Sequence, residues 1–362
     1  MKKIISLLLV LTMIFSLAAC GSDAASNDET NSGQVDNTKA EGEENTSNAA
    51  GEKLLVYMSG PEAMINKLEE GFEEENGDIL DITIMGCGQL RNKVWAESEA
   101  GTIEADVFVG SDPILYEKLQ AKDMLANFDM KDADNIIDRF KLEDKKYALM
   151  NERYIGILVN SDSISDEECP KRFSDLSKDC YKNTVTMADA SQSATAFAIA
   201  SSLYELSDNN SELFSDMKNN GIMLQKSNGL VPSSILEGQY ELGIAPHDAY
   251  VRLKNKGKKE GYEVPLKLVW PEEGAIAVQR PIAISNKEDR SESAQVNAVK
   301  FVNYMLSKKA QTITNKFGFV SVRKDIENKF LPENAKVFVV DWEYAAENED
   351  TIKGEYQAIF HE

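Results

Sequence analysis

The sequence predicts an α/β fold in which a largely parallel sheet is flanked by helices. Three times between residues 54 and 119, an apolar run of strand length is followed by a short turn and then by apolar residues at helical spacing. The predicted strands cover residues 54–58, 82–85 and 105–109. Repeated strand–helix units are typical of sheets whose strands run parallel.

The same construction recurs further along the chain. An apolar strand is predicted at 153–160, and a strand at 185–187 leads through small polar residues into a helix at 194–206. Shorter strands follow at 222–225 and 241–245. Because 362 residues suffice for two cores, this second group of units predicts a second lobe.

The last part of the chain is predicted to return to the first lobe. Two apolar strands, 275–278 and 281–284, precede a long helix at about 293–315. The predicted core stripe of that helix is Val296, Val299, Val302, Met305 and Leu306. We therefore expect one lobe from 53–150 with about 275–323 and the other from 151–274. The segment 324–362 contains Phe338, Val340 and Trp342, which predicts a packed segment whose lobe stays open.

The amino terminus predicts export. Lys2 and Lys3 precede an apolar run at 4–17 that is too short for a comfortable membrane span. Leu17-Ala18-Ala19-Cys20-Gly21 resembles the lipobox of bacterial lipoproteins, which implies a signal peptide at 1–19 and a diacylglycerol on Cys20. The chain is then expected on the outer face of the cell membrane, anchored but not spanning.

Residues 20–52 predict a disordered acidic tether behind that lipid anchor, since they hold almost nothing large and apolar. Of the remaining cysteines, Cys169 and Cys180 are the pair closest in sequence, so a disulfide between them is open. No cysteine or histidine spacing is typical of a metal site.

Composition and motifs exclude several classes of function. The net charge of −22 makes nucleic acids and anionic lipid headgroups poor partners. The chain has no Gly-x-Ser-x-Gly elbow, no phosphate-binding P-loop and no histidine metal motif. We therefore expect no enzyme and no cofactor, and an extracellular hydrolase is the weaker alternative.

Small and polar residues follow nearly every predicted strand. In parallel sheets ligands bind beyond the carboxyl ends of the strands, and helix N-termini there present free N–H groups that suit an oxyanion. The candidate contacts are Ser59, Gly60, Gly88, Gln89, Ser111, Ser191, Ser193, Thr195, Ser227 and Asn228. Asp112, His247, Asp248 and Glu273 are candidates for reading the other end of a solute.

Each candidate also has a purely structural interpretation. Ser59, Ser111 and Ser233 suit helix caps, the glycines suit turns, and a lone His247 suits an ordinary loop. If these residues converged on one cleft, binding would be favoured over the structural interpretation. The sequence alone does not show whether they converge.

Taken in order, four segments resemble the solute-binding proteins of ABC importers. They are Tyr57-Met58-Ser59-Gly60, the run 105–112 (ADVFVGSD), the run 188–197 (ADASQSATAF), and Pro271-Glu272-Glu273-Gly274 followed by the run 280–284. Within these proteins the resemblance is to the type II cluster that includes ferric-ion, phosphonate and sugar-phosphate binders. It implies two α/β lobes, each with a mainly parallel sheet, and a ligand cleft between them that closes like a hinge. It also implies a monomer that delivers its solute to a permease and its ATPase.

The resemblance leaves the solute open. Ferric-ion binders of this cluster typically use a pair of adjacent tyrosines after the strand that corresponds to 242–245, where this chain has His247-Asp248-Ala249-Tyr250. Asp112, His247, Asp248 and Tyr250 would have to supply any metal site. The leading expectation is an organic phosphate, phosphonate or related anion. A ferric ion or iron chelate, a polyamine, and a sensor linked to a receptor are the alternatives.

Overall fold

The computed structural model describes residues 53–362. The predicted signal peptide, Cys20 and the tether at 20–52 lie outside the described residues, so those expectations stay predictions. Among the described residues, no helix is both long and apolar enough to cross a membrane.

Within residues 53–362, eleven strands form a single sheet. The strands are β1 (Leu54–Met58), β2 (Leu80–Ile84), β3 (Val107–Val109), β4 (Tyr147–Asn160), β5 (Val185–Ala188), β6 (Met223–Gln225), β7 (Leu242–Pro246), β8 (Leu266–Val269), β9 (Ala275–Ile284), β10 (Val320–Ser321) and β11 (Val337–Val339). The helices are α1 (Glu62–Asn76), α2 (Cys87–Glu99), α3 (Pro113–Ala121), α4 (Ala194–Leu206), α5 (Glu212–Asn219), α6 (Leu230–Leu236), α7 (His247–Glu260), α8 (Glu292–Met305), α9 (Lys308–Lys316), α10 (Trp342–Glu347) and α11 (Glu349–Phe360).

The main path of the sheet runs β2-β1-β3-β9-β4-β7-β5-β6. At one end β1 pairs parallel with β2 and β3, and at the other end β5 pairs parallel with β6 and β7. The two long strands β4 and β9 lie between these groups and pair antiparallel with each other. The α/β prediction is confirmed, and both parallel groups follow from strand–helix units.

Strand β9 corrects one sequence prediction. The stretches 275–278 and 281–284, predicted as separate strands, form one ten-residue strand that includes Pro281. Proline has no N–H to donate, so inside a sheet it needs an edge or a bulge. Here the register of β4 shifts between Leu149 and Asn151, opposite Pro281, and this bulge accommodates the proline.

The prediction of one long helix at 293–315 was also wrong. The chain forms α8 and α9, which are separated at Ser307, whose hydroxyl accepts a hydrogen bond from Ala310 N at 3.3 Å and so caps α9. The predicted stripe was partly wrong too, because Val296 is 48% exposed. The buried residues of α8 are Ala294, Ala298, Phe301, Val302, Tyr304 and Met305.

Two large apolar clusters cover the two ends of the sheet. The first contains β1 and β3 with residues of α1 and α8, and the second contains residues of β5, α4 and α5. The second cluster also takes Trp342 of α10 and Ile352, Tyr356 and Phe360 of α11. The sequence left the place of the carboxyl-terminal segment open. Its last part, α10 and α11, packs on the second cluster, whereas Phe330, Leu331 and Val337 pack against the first.

Candidate anion-binding site

Two arginines, the fully buried Arg280 and the partly buried Arg153, lie on the strands that join the two parallel groups. In the register of β4 and β9, Asn151 is directly opposite Arg280, and Arg153 is two residues further along β4. Residues two apart on a strand share a face, so Arg153 and Arg280 are diagonal neighbours on one face of the sheet. Both guanidinium carbons lie within 5 Å of the centre of the Phe319 ring, at 4.9 and 4.8 Å respectively.

Arg280 is fully buried. Its Nη2 donates to the carbonyl oxygen of Ser59, and its Nη1 lies 3.4 Å from Asn151 Oδ1. Its Nε has no hydrogen-bond partner in the described part of the chain, and neither does Asn151 Nδ2. A buried donor without a partner costs about 1–3 kcal/mol, so these groups would gain from an acceptor.

Arg153 has one carboxylate neighbour, Asp248 at the start of α7. Arg153 Nε lies 3.5 Å from Asp248 Oδ1, yet neither atom makes a hydrogen bond within residues 53–362. Asp248 also pairs with Arg252, one turn further along α7. Among these contacts, three arginines face a single carboxylate, so the cluster formed by Arg153, Arg252, Arg280 and Asp248 carries excess positive charge. We call these residues the arginine cluster.

The pKa values follow from that arrangement. Burial, together with the charge of Arg153, lowers the pKa of Arg280 to about 10, and burial also lowers the pKa of Arg153. Burial opposes ionisation of Asp248, but Arg153 and Arg252 outweigh it and lower the pKa of Asp248 to about 2. At neutral pH all of these groups are charged, and an anion beside them would relieve the imbalance.

The first parallel group adds Ser59 and Gly60 to the arginine cluster. Ser59 is buried at the end of β1, and its carbonyl oxygen accepts from Arg280. Gly60 has φ +149°, and a Cβ there would lie 3.4 Å from Arg280 Nη2. Glycine thus keeps the backbone close to the guanidinium. Ser59 does not cap α1, whose first turn is preceded by Pro61 with no side-chain cap.

Cys87, Ser111 and Thr195 meet beside Ser59. Thr195 Oγ1 donates to the carbonyl oxygen of Ser111 at 3.2 Å, so β3 and α4 come together here. A Cβ built on Gly110 would lie 3.7 Å from Ser59 Oγ and 3.8 Å from Cys87 Sγ. Burial raises the pKa of the Cys87 thiol, against hydrogen bonds with Thr195, Ser111 and Ser59. Three predicted contacts, Ser59, Ser111 and Thr195, are therefore neighbours.

Two other predicted residues are held by contacts within the fold, although His247 Nε2 has no hydrogen-bond partner among residues 53–362. Asp112 is buried, caps α3 through Leu115 N and forms an ion pair with Arg91 at 2.5 Å. His247 is 1% exposed, and its Nδ1 lies 2.9 Å from Tyr154 N and accepts its hydrogen bond. Burial lowers the pKa of His247 to about 4, so the ring is neutral at physiological pH.

The serines of the turn before α4 have different environments, one as a helix cap and the other at the surface. Ser193 caps α4 by accepting from Ala196 N at 3.3 Å, and Asn228 Nδ2 lies 3.5 Å from the same hydroxyl. Ser191 is exposed, and its N–H donates to Asp189. Ser227 is half-buried, and its carbonyl oxygen accepts from Leu230 N within its own turn.

The remaining predicted residues lie in other surroundings. Gly88 approaches the backbone of Gln192, since a Cβ there would lie 3.0 Å from that carbonyl oxygen. Gln89 is exposed and accepts from Gly86 N. Tyr250 packs on a small third apolar cluster around α6 and β7. Glu273 accepts from Phe173 N at 2.7 Å and lines a groove with residues of α5.

Arg153 and Arg280 were not predicted as contacts, although both stand in the sequence at the start of apolar strand runs. A charged residue in a strand that is otherwise fully buried is rarely there for packing, and that signal was available. The proximity of the two arginines could not be predicted, because it depends on the register of two strands more than 120 residues apart.

Among the described residues, no three His, Cys, Asp or Glu side chains are grouped so that they could hold a metal ion. All three cysteines among these residues, Cys87, Cys169 and Cys180, are free thiols.

Solved structures with this fold hold different solutes. The fructose-6-phosphate-bound periplasmic binding protein AfuA from Actinobacillus pleuropneumoniae is 20% identical, covers 85% of this chain and 98% of its own, and superposes with a TM-score of 0.73. Iron-bound HitA from Pseudomonas aeruginosa is 16% identical, with coverage of 85% and 99% and a TM-score of 0.72. The ferric binding protein from Campylobacter jejuni is 20% identical, with the same coverage of both chains and a TM-score of 0.72. At these identities the likeness shows the type II periplasmic-binding-protein fold and leaves the solute open.

Family membership rests on the sequence itself. None of the curated proteins matches the chain significantly. The family model described as bacterial extracellular solute-binding protein matches residues 104–348, about two thirds of the chain. That match includes β4, β9, Arg153 and Arg280. The chain belongs to the bacterial extracellular solute-binding proteins.

Proposed function

We propose that this protein is the extracytoplasmic, lipid-anchored binding component of an ABC importer for a small anionic solute. The solute class is an organic phosphate, a phosphonate or a related oxyanion. The protein holds it between two lobes that close like a hinge and delivers it to a permease driven by an ATPase. Membership in the solute-binding family supports the binding role, and Cys20 is the proposed attachment point of the lipid.

The excess positive charge of the arginine cluster is the observation that supports an anion. In a chain with a net charge of −22, the fully buried Arg280 and the partly buried Arg153 lie together, and their Nε donors make no hydrogen bond within residues 53–362. An oxyanion accepts several charge-assisted hydrogen bonds at once and neutralises both guanidinium groups. Ser59, Ser111 and Thr195 add short polar groups beside them.

The two cationic alternatives fit this geometry less well. A ferric ion needs anionic oxygen ligands, but Asp112 and Asp248 are each paired with arginine. A polyamine would be repelled by Arg153 and Arg280. Neither carboxylate is free to hold a cation without first leaving its arginine.

Calorimetric titration tests the solute class directly. We expect the protein to bind at least one of fructose 6-phosphate, inorganic phosphate or a small alkyl phosphonate, with an affinity that falls as salt is added. Ferric citrate and spermidine, titrated in parallel, should give no saturable binding. Binding of spermidine alone, or of ferric ion without any anion, would contradict the proposal.

A matched pair of variants separates the site from general charge effects. Arg280→Met removes a guanidinium from the arginine cluster, whereas Arg290→Met removes a partly buried one that binds Ser285 and Gln295 elsewhere. We expect the first to abolish anion binding and the second to leave the affinity within twofold. Equal losses in both would show that the effect is structural.

A further inference from the structure

A second cluster of charges surrounds two buried carboxylates and has a different make-up. The glutamate cluster consists of Arg91, Asp112, Lys118, Glu349 and Lys353. Arg91 pairs with both Asp112 and Glu349, and Lys118 Nζ lies 2.6 Å from Glu349 Oε2. Lys353 adds a third contact to Glu349 from the next turn of α11.

The glutamate cluster links parts of the chain that are far apart in sequence. Arg91 lies on α2 and Lys118 on α3, which follow β2 and β3 in the first parallel group. Glu349 is the first residue of α11, whose Ile352 and Tyr356 are buried in the second apolar cluster. Its carboxylate is thus a direct contact between the helices of the first group and the carboxyl-terminal helix.

Because Glu349 is buried, its ion pairs favour the arrangement in which α11 contacts α2 and α3. Glu349 is 2% exposed and Asp112 is fully buried, and both pair with Arg91. Burial opposes ionisation of Glu349, but Arg91, Lys118 and Lys353 outweigh it and hold the pKa of that carboxyl below its usual value. If α11 moved away from α2 and α3, Glu349 would lose two of these cations and become hydrated.

The glutamate cluster also adjoins the candidate solute contacts. Asp112, which shares Arg91 with Glu349, directly follows Ser111, whose carbonyl oxygen accepts from Thr195 on α4. Gly88, one turn before Arg91, abuts the backbone of Gln192 in the turn before α4. The ion pairs of Glu349 therefore lie next to the place where α2 and the turn after β3 contact α4 and the turn before it.

We propose that Glu349 is a positioning residue for solute retention, which holds the closed arrangement through Arg91 and Lys118. The inference rests on the proposed function, since retention presupposes that the two groups separate when solute leaves. The first group carries Ser59 and Ser111 and the second carries Thr195. Glu349 fastens the two together without itself touching the solute, so its effect is on how fast the site opens.

Glu349→Gln tests this role in the full chain, with Glu355→Gln as the matched control. Glu355 lies on the same helix and makes its contact within the second cluster, where Tyr204 OH donates to it at 3.2 Å. Both substitutions remove one negative charge from α11. We expect stopped-flow release of fructose 6-phosphate or inorganic phosphate to become about tenfold faster in Glu349→Gln, with association within twofold. The control should match the unmodified protein, and Glu349→Asp should recover part of the retention.

Hydrogen exchange of the solute-free chain gives a readout that needs no solute. Glu349→Gln should speed exchange in α2 and in the turn before α4, while β1 and β5 stay protected. Unchanged exchange in those two segments, or an equal increase in Glu355→Gln, would overturn the role of Glu349. If exchange changes as expected but no anion binds, the proposed solute class fails while the coupling by Glu349 stands.

Discussion

The arginine cluster and the glutamate cluster are both charge networks around buried carboxylates, but they differ in the number of acids that face three cations, which is one in the first and two in the second. In the glutamate cluster Arg91, Lys118 and Lys353 face Asp112 and Glu349, and each of the two acids has an ion-pair partner. In the arginine cluster three arginines face Asp248, and the Nε donors of Arg153 and Arg280 make no hydrogen bond within residues 53–362. A folded chain keeps such an imbalance at a cost in stability, which is typical of a position selected for binding.

The comparison predicts opposite effects of removing an arginine from each network. Arg91→Met should lower the free energy of unfolding by about 3 kcal/mol, because it leaves Asp112 and Glu349 buried without their shared cation. Urea unfolding measures this loss. Asp112→Asn in the same background should restore part of it, since asparagine keeps the cap on α3 and no longer needs a cation. A loss no larger than that of the exposed Arg172→Met would contradict the assignment.

Arg280→Met should have the reverse profile. Affinity for the anionic solute should fall at least 100-fold, about 2.7 kcal/mol, because a buried charged donor is lost. The free energy of unfolding without solute should stay the same or rise, since the excess charge is relieved. Calorimetry and urea unfolding of the same preparation measure both quantities. A variant that is clearly less stable than the unmodified protein would show that Arg280 serves packing.

Buried His247 should make the stability of the fold depend on pH. Its pKa is lowered from 6.5 to about 4 by burial, so the folded protein resists a proton that the unfolded chain accepts. The stability from neutral His247 is therefore fully present above pH 6.5 and is lost as the pH falls toward 4. Between pH 6.5 and 5, where most carboxylates remain ionised, the free energy of unfolding should drop by about 2 kcal/mol. His247→Asn should flatten that slope in urea titrations, and an unchanged slope would assign it to other groups.

Ser193 gives the smallest expected effect. Because its hydroxyl caps α4 through Ala196 N, Ser193→Ala should cost about 1 kcal/mol of stability. Its affinity for the solute should change by less than twofold. Thermal unfolding and calorimetry check the two values. A tenfold loss of affinity would return Ser193 to the solute contacts that the sequence predicted.

The local parts of the fold could be predicted from the sequence because they depend on short-range patterns. Strand–helix units such as β1–α1 and β5–α4 are visible as an apolar run, a small polar turn and a helical stripe. The single strand β9 was not predicted, since Pro281 stops a strand unless a bulge faces it, and that bulge lies on β4. The break at Ser307 was missed because the apolar spacing continues across it.

The candidate site was predicted less completely than the fold. Ser59, Ser111 and Thr195 were expected at strand ends and are neighbours in the structure. Asp112 and His247 were expected as possible solute contacts because the sequence does not show that each has a partner in the fold. Those partners, Arg91 and the backbone of Tyr154, are distant in sequence. Which charged residues remain without a partner depends on ion pairs and strand register between segments that are distant in sequence. A local sequence pattern does not contain that information.

The proposed function depends most directly on whether the arginine cluster binds an anion. Calorimetric titration of the unmodified protein and of Arg280→Met with fructose 6-phosphate, inorganic phosphate and an alkyl phosphonate, at low and high salt, tests that claim. We predict saturable binding of at least one of them to the unmodified protein, weaker at high salt, and none to Arg280→Met. Binding of that anion to Arg280→Met with unchanged affinity would contradict it.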